Sequence, residues 1–362
     1  MKILWLPHLP WARMEGQREW HLVKRLLARG HEIHVLTWEA IGELGALLRT
    51  LGSRTVHDGA LTIHRAPRLP NPVGRITRDY SRGFPPNEWL FRRHVRRILA
   101  DERIDLFVYG LSHKAVGLPP FDVAVPRVFD YLDLCLYPGV EDAYLANSDL
   151  VLCTSTVLVE RVRARGVRAA YLPNGVDRGR LASGKAEAVR RALGLTGKRV
   201  VSLIGLTCSP TLFFVDAIAR ARREMPDIVF LAVGAAGWLP REGLSPFAAR
   251  CRQLGVPLVA TGPVPNAAVA DYFDLEELRR FGWPNVFLEP PEPAAFAAGI
   301  VRAFSEHPPM PDLASFDWDV LAARFEESCE ALLSERASTR AASAQVRRGE
   351  VLDERPVPSS PV

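Results

Sequence analysis

Short apolar runs alternate with helical patterns along this chain, and the alternation ends once and then begins again. The first series ends with a short strand over Arg168–Leu172 and a turn, Pro173-Asn174-Gly175, in which Gly175 is expected to supply a positive φ. A new series begins near Asp177. Strands that alternate with helices predict parallel sheets covered on both faces. The 362 residues therefore predict two α/β domains, each with a doubly wound sheet.

The predicted elements fall into two groups. In the first half we predict helices over Gln17–Arg29, Glu88–Ala100 and Val157–Arg165, between strands over Lys2–Leu6, Glu32–Thr37, Leu61–Ala66, Asp105–Tyr109, Arg127–Asp130, Val151–Thr154 and Arg168–Leu172. In the second half we predict strands over Arg199–Gly205, Ile228–Gly234, Pro257–Thr261 and Asn285–Leu288, among helices over Ala186–Ala192, Thr211–Arg223, Phe247–Leu254, Ala267–Phe273, Pro293–Ser305 and Trp318–Ser334. Four strands are fewer than the roughly six of a complete Rossmann-like half.

These patterns predict domains over residues 1–175 and 176–334, and the helix Trp318–Ser334 can also pack back across the interface. Residues 335–362 are rich in Arg, Ala, Ser and Pro without periodicity, so we expect a disordered tail. The apolar start of the chain is interrupted at Pro7, which argues against an export signal or a membrane span. Five scattered cysteines without a C-x-x-C pair predict buried thiols in the cytoplasm and no metal centre.

The net charge of +5 is unevenly placed, because arginines crowd the stretch from residue 75 to residue 97. No known nucleic-acid module with interleaved aromatic residues accompanies them, so nucleic acid is not a predicted partner. The basic helix over Phe91–Ala100 is either a solvated face or a contact for an anionic membrane surface or an anionic acceptor. The sequence leaves these alternatives open.

Several motifs together carry a family resemblance. They are the stretches Gly16–Leu22, Leu26–Thr37, Asp149–Ser155 and Leu172–Asp177. The chain resembles the retaining nucleotide-sugar glycosyltransferases of the GT-B type, in particular glycosyltransferase family four. The resemblance implies two Rossmann-like domains that face each other across a cleft. It also implies transfer of a sugar from a nucleotide-diphosphate sugar to an acceptor that the sequence does not identify, with retention and without a metal or cofactor.

The resemblance places donor-binding residues in both halves. Gly16 lies where a helix N-terminus offers N–H groups to a diphosphate, although a turn alone would also require a glycine. Gly205 and Thr207 resemble the phosphate loop of the donor domain, but the arginine and lysine that usually follow this glycine are missing here. Gly262 and Val264 match the turn whose backbone binds the nucleotide base.

The predicted catalytic residues follow two strands of the first half. His113 comes after Asp105–Tyr109, and Asp130 ends the next strand, where ligands bind in open α/β sheets. The resemblance favours Asp130, because an aspartate replaces the histidine in one subgroup, whereas a loop histidine is often an ordinary surface group. The family's pair of glutamates cannot be found between Phe273 and Asp274, a gap of about one βαβ unit or ~30 to 40 residues.

The gap keeps a second function open. Loss of the glutamates and of the basic pair removes contacts that stabilise the departing diphosphate, so we expect weak turnover or none. The alternative is a catalytically impaired relative that serves as a nucleotide-sugar binding or scaffold protein. An epimerase on the same fold is less favoured, because no paired acid and base is found.

Overall fold

The structure is a computed structural model. It describes residues 1–40, 54–72, 76, 84–120, 122–135, 137–177, 186–204, 212–234, 245–262, 264, 292–306 and 313–352. These residues form two compact units, one of Met1–Gly175 with Ser315–Val362 and one of Val176–Ala314. The predicted α/β fold class is confirmed. Among the described residues, no helix combines the length and the apolar composition that a membrane crossing requires.

The first unit is built on an eight-stranded sheet with the order β3-β4-β2-β1-β5-β6-β7-β8. Its strands are β1 (Lys2–Leu6), β2 (Glu32–Ala40), β3 (Arg54–Asp58), β4 (Leu61–Arg68), β5 (Leu106–Tyr109), β6 (Arg127–Tyr131), β7 (Leu150–Cys153) and β8 (Ala169–Tyr171). All neighbours pair in parallel except β3 and β4, which form an antiparallel edge. The chain moves to one side after β1 and to the other side from β5 onward, so the switch point of the topology lies between β1 and β5.

Helices cover both faces of this sheet, as continuous apolar strands require. They are α1 (Arg18–Ala28), α2 (Pro85–Asp101), α3 (His113–Val116), α4 (Pro138–Ala146), α5 (Thr156–Arg163) and α10 (Trp318–Leu352). Strand β1 shows why both faces are dry: Leu4 and Leu6 join the core under α2, α4 and α5, and Ile3 and Trp5 join the core under α1 and α10. Residues that alternate along one strand thus serve two cores.

The C-terminal helix α10 belongs to the first unit. Phe325 stacks on Trp5 with ring centroids 5.4 Å apart, and Trp318 stacks on His21 at 4.6 Å. We had placed 318–334 in the second domain while allowing the helix to pack back, and these buried aromatic contacts are the reason that it groups with the first unit. The helix also continues to Leu352, through residues for which we predicted no structure.

The expected positive φ at Gly175 is wrong, because this residue is not among those with a left-handed backbone. A steric constraint explains the glycine at this position instead. A Cβ atom at this position would lie 2.5 Å from Cδ2 of Trp318, so only glycine lets the turn approach α10.

The second unit contains a parallel sheet in the order β11-β10-β9. Its strands are β9 (Arg199–Ile204), β10 (Ile228–Val233) and β11 (Leu258–Gly262), and its helices are α6 (Ala186–Ala192), α7 (Phe213–Ala221), α8 (Ser245–Leu254) and α9 (Pro293–Glu306). The predicted helix Ala267–Phe273 and the predicted strand Asn285–Leu288 lie outside the described residues. The lost βαβ unit therefore stays a prediction.

Candidate functional site

A cluster of charged side chains lies at the carboxyl edge of the eight-stranded sheet, beside the switch point between β1 and β5. Ligands bind at this place in doubly wound sheets, because the two crossovers leave a crevice between them. His8 follows β1, Gly110 follows β5, and Asp130 lies near the end of β6. Arg18 and Glu19 come from the first turn of α1. We call these five residues the carboxyl-edge cluster.

Arg18 and Asp130 form a buried ion pair within the cluster. Nε of Arg18 donates to Oδ1 of Asp130 at 3.0 Å and to Oδ2 at 3.2 Å, and Nη1 donates to the carbonyl oxygen of Pro173. Both side chains are almost entirely shielded from solvent. Burial raises the pKa of the Asp130 carboxyl, while the Arg18 guanidinium opposes that shift and the Glu19 charge adds to it.

Nη2 of Arg18 is buried and has no hydrogen-bonding partner among the described residues. A guanidinium is charged at all accessible pH values and presents five donors, so an unused buried donor is costly. An oxygen atom of a bound ligand would satisfy it. Arg18 thus combines a fixed position, a fixed charge and an open donor.

His8 and Glu19 form the second pair. Nδ1 of His8 lies 2.6 Å from Oε2 of Glu19, and the His8 amide donates to Oε1 at 3.2 Å. Burial lowers the pKa of His8, but the hydrogen bond and charge of Glu19 outweigh it, and the net shift is upward. Gly110 makes room for this pair, because a Cβ atom there would lie 2.6 Å from Oε1 of Glu19.

His113 lies apart from these pairs, at the start of the short helix α3. It is 2% exposed, so it is not the ordinary surface group of the alternative interpretation. Neither ring nitrogen has a hydrogen-bonding partner among the described residues, and the ring packs edge-on against Tyr137 with centroids 5.4 Å apart. Burial, with a smaller contribution from Lys114, lowers the pKa of His113 to about 4. The imidazole is therefore neutral at pH 7, with one donor and one acceptor unused.

The predicted donor-binding residues are placed only in part. Gly16 precedes α1 with a φ of 76°, which a turn alone would explain, so its diphosphate role stays a prediction. Gly262 ends β11 with a φ of 68°, and its carbonyl oxygen accepts from the Gly234 amide at 3.0 Å. Val264 is partly buried against the apolar cluster that contains Val200 and Leu231. Gly205 and Thr207 lie outside the described residues.

The sequence alone predicted no role for Arg18, Glu19 or His8. The periodicity of α1 contains a signal for the first two. Arg18 lies four residues before Leu22, and Glu19 lies four before Val23, so both fall on the buried helix face. A charged residue on a buried face requires a partner, so the pattern could have indicated that Arg18 and Glu19 are paired, although not with which residues.

No protein family matches this chain, and no curated protein does. Solved structures do match over nearly the whole length. A sucrose-phosphate synthase from Thermosynechococcus elongatus has a TM-score of 0.59 and 14% identity, with 98% of this chain and 100% of that chain covered. A UDP-forming α,α-trehalose-phosphate synthase from Burkholderia vietnamiensis has a TM-score of 0.62 and 12% identity, with 91% and 97% covered.

A third structure gives the same result. The catalytic domain of starch synthase IV from Arabidopsis thaliana, bound to ADP and acarbose, has a TM-score of 0.60 and 12% identity, with 92% of this chain and 99% of that chain covered. At these identities the likeness establishes a shared fold.

Proposed function

We propose that this chain binds a nucleotide-diphosphate sugar and transfers its sugar to an acceptor with retention of the anomeric configuration. The observation that carries the proposal is the buried Nη2 donor of Arg18, which has no partner among the described residues and belongs to a cation at the switch point of a doubly wound sheet. The fold that surrounds it is shared with a UDP-forming synthase and with a synthase bound to ADP.

Arg18 provides the charge that the departing diphosphate requires. The group that leaves the sugar gains negative charge in the transition state, and fixed donors in a dry site stabilise that charge without reorganisation. In this proposal Nη2 of Arg18 and the first turn of α1 after Gly16 contact an oxygen of the donor. Asp130 has no exposed surface, so it acts as a positioning residue that holds the guanidinium in place.

His113 is the proposed contact to the sugar. A neutral imidazole can donate to one hydroxyl group and accept from another, which matches its two unused nitrogens. For the second unit, the family resemblance implies donor-binding roles for Gly205, Thr207, Gly262 and Val264, and these roles stay predictions.

The second candidate is a binding protein that has lost catalysis on the same fold. It is favoured by burial, because Asp130, Nη2 of Arg18 and both ring nitrogens of His113 are all shielded from solvent. It is also favoured by the sequence, which lacks a basic pair after Gly205 and the paired glutamates of the family. On this alternative the chain binds a nucleotide sugar but does not transfer the sugar.

One assay separates the two candidates. Release of nucleoside diphosphate is measured for the full chain with a panel of donors that includes UDP-glucose and ADP-glucose, and His113→Ala is compared with wild type. Turnover that falls at least about tenfold in the variant supports the transferase. An NMR spectrum of the product then reports retention. Donor binding without turnover supports the second candidate.

We further propose that α2 contacts an anionic surface. Trp89 is 60% exposed on this helix and lies under the guanidinium of Arg93, at a centroid distance of 5.7 Å. A cavity of about 510 Å³ is lined by Trp89, Glu88, Arg92, Arg93 and Arg96. Arg92 is paired with Glu88 and Arg96 with Asp122. An exposed indole among arginines suits the headgroup region of an anionic membrane.

A further inference from the structure

A second polar cluster lies at the opposite end of the first unit's sheet, where β1 and β2 begin. Lys2 and Glu32 are the first residues of these two strands, His34 follows on β2, and Glu102 caps the C-terminus of α2. We call Glu32, His34 and Glu102 the amino-edge triad. The proposed sugar transfer does not use it.

The three donor atoms of the triad converge. Nε2 of His34 lies 3.0 Å from Oε1 of Glu32 and 3.9 Å from Oε2 of Glu102, and all three lie within 4.8 Å of one another. The His34 side chain is buried, whereas the two glutamates are partly exposed. A cavity of about 480 Å³ opens beside the triad, so an ion could reach it from solvent.

A cation already lies between the carboxylates. Nζ of Lys2 is 2.7 Å from Oε1 of Glu32 and 3.6 Å from Oε2 of Glu102. The site is therefore electrostatically arranged for positive charge.

A second histidine sets the orientation of the first. Nδ1 of His34 lies 3.0 Å from Nε2 of His64, and the two rings stack with centroids 5.2 Å apart. Nδ1 of His64 lies 3.5 Å from the Thr55 hydroxyl oxygen. Metal-binding histidines almost always use their second nitrogen in such a hydrogen bond, which fixes the ring and the tautomer.

A shift of hydrogen atoms along His34, His64 and Thr55 can free the Nε2 lone pair of His34 without changing the number of bound protons. Carboxylate oxygens only accept, so the hydrogen atom between Glu32 and His34 lies on Nε2, and His64 then donates to Nδ1. In the other tautomeric arrangement, His34 donates from Nδ1 to His64, and His64 donates to Thr55. Nε2 of His34 is then free to coordinate an ion.

We propose that Glu32, His34 and Glu102 bind a divalent first-row transition-metal ion, for which Zn²⁺ is the best fit. Zinc bound tetrahedrally at about 2.0–2.2 Å holds its ligand atoms about 3.3–3.6 Å apart. The two separations between His34 and the carboxylates, 3.0 and 3.9 Å, bracket that spacing, and the three ligand atoms all lie within 4.8 Å of one another. An imidazole nitrogen with two carboxylates suits zinc, whereas calcium and magnesium take oxygen ligands. Three protein ligands leave a fourth position for water.

The bound ion would join the start of β2 to the end of α2. Because the triad lies at the edge opposite the carboxyl-edge cluster, the ion stabilises the first unit and takes no part in sugar chemistry. Ligand binding to the folded state alone adds RT ln(1 + [L]/Kd) to stability. Zinc should thus raise the melting temperature of the full chain.

The test is calorimetric titration of the metal-free full chain with zinc chloride. Wild type should bind one ion that Glu102→Gln binds at least about 100-fold more weakly. Glu187→Gln, at an exposed glutamate on α6, is the matched control and should bind like wild type. Removal of the resident ammonium in Lys2→Met should tighten binding about tenfold. Equal zinc affinity in wild type and Glu102→Gln would overturn the site.

A second variant tests the orienting histidine. His64→Gln should weaken zinc binding about 10- to 100-fold and alter the visible spectrum of the Co²⁺-substituted chain, which reports coordination geometry. Because His64 is buried, circular dichroism must first show that this variant is folded. Should it not fold, the more exposed variants Glu102→Gln and Glu32→Gln decide alone. An unchanged Co²⁺ spectrum in folded His64→Gln would refute the orienting role.

Discussion

Asp130→Asn should be among the most destabilising single substitutions in the first unit. The variant keeps the size of the side chain but removes its charge, while Arg18 stays charged and 5% exposed. Breaking a buried ion pair by removing one partner costs about 3–5 kcal/mol, because the remaining charge is uncompensated. The Arg18 bond to the Pro173 carbonyl persists, so we expect the lower end, about 3 kcal/mol.

A double variant separates the cost of a lone charge from the value of the pair. The double variant Arg18→Met/Asp130→Leu removes both charges and the buried guanidinium donors together. Such replacements are often neutral or stabilising, so the double variant should be more stable than Asp130→Asn by about 2 kcal/mol or more. Comparison with the single variants Arg18→Met and Asp130→Leu gives the coupling free energy between the two sites.

Urea unfolding followed by tryptophan fluorescence measures these effects. Trp5, Trp11, Trp20, Trp38, Trp89 and Trp318 all belong to the first unit, which makes six of the eight tryptophans of the chain. The signal therefore reports mainly the unit that carries the substitution. A loss below about 1 kcal/mol in Asp130→Asn, or a double variant as unstable as the sum of its singles, would refute the buried pair.

Three further predictions test other parts of the account. Gly110→Ala should lower the free energy of unfolding by about 1–3 kcal/mol and lower the pKa of His8 measured by NMR, because the new Cβ would lie 2.6 Å from Oε1 of Glu19. Gly139→Ala is the control, because a Cβ there would have no atom within 4 Å. Equal effects of the two substitutions would argue against the contact. The pKa of His113 is about 4 in the fold and 6.5 when unperturbed, so its stabilisation is present above pH 6.5 and is lost as the pH falls toward 4. His113→Phe should thus flatten the decline in unfolding free energy over that interval, and an unchanged slope would count against burial of a neutral ring. Trp89→Ser should reduce binding to vesicles of anionic phospholipid in a sedimentation assay, with neutral vesicles as the control; equal binding of both proteins would leave α2 a solvated face.

Regular elements followed from the sequence wherever an apolar run or a helical period was strong. Strand β1 was predicted with its observed bounds, because four consecutive apolar residues bury themselves on both faces. Strand β3 was missed, since Arg54–Asp58 carries mainly polar side chains on an antiparallel edge and forms through pairing with β4. The extension of α10 beyond Ser334 was missed because its residues lack an apolar period.

The candidate site was predictable only in its location. In a doubly wound sheet, ligands bind at the carboxyl ends of the strands. This rule pointed to the ends of β5 and β6 and so to His113 and Asp130. The partners of these residues were not predictable from pattern alone, because Arg18 and Asp130 are 112 positions apart in sequence. That neither ring nitrogen of His113 has a hydrogen-bonding partner within the described part of the chain is likewise a property of packing, which only coordinates show.

Titration calorimetry with UDP, ADP and their glucose conjugates shows whether this chain binds a nucleotide-sugar donor. We predict saturable binding at one site, and we predict its loss in Gly16→Trp, whose side chain would occupy the space before α1. Gly166→Trp is the matched control, because Gly166 has a φ of 73° against 76° at Gly16 and carries similar backbone strain away from the site. Absence of binding with every nucleotide, or equal binding in a folded Gly16→Trp variant, would contradict the account.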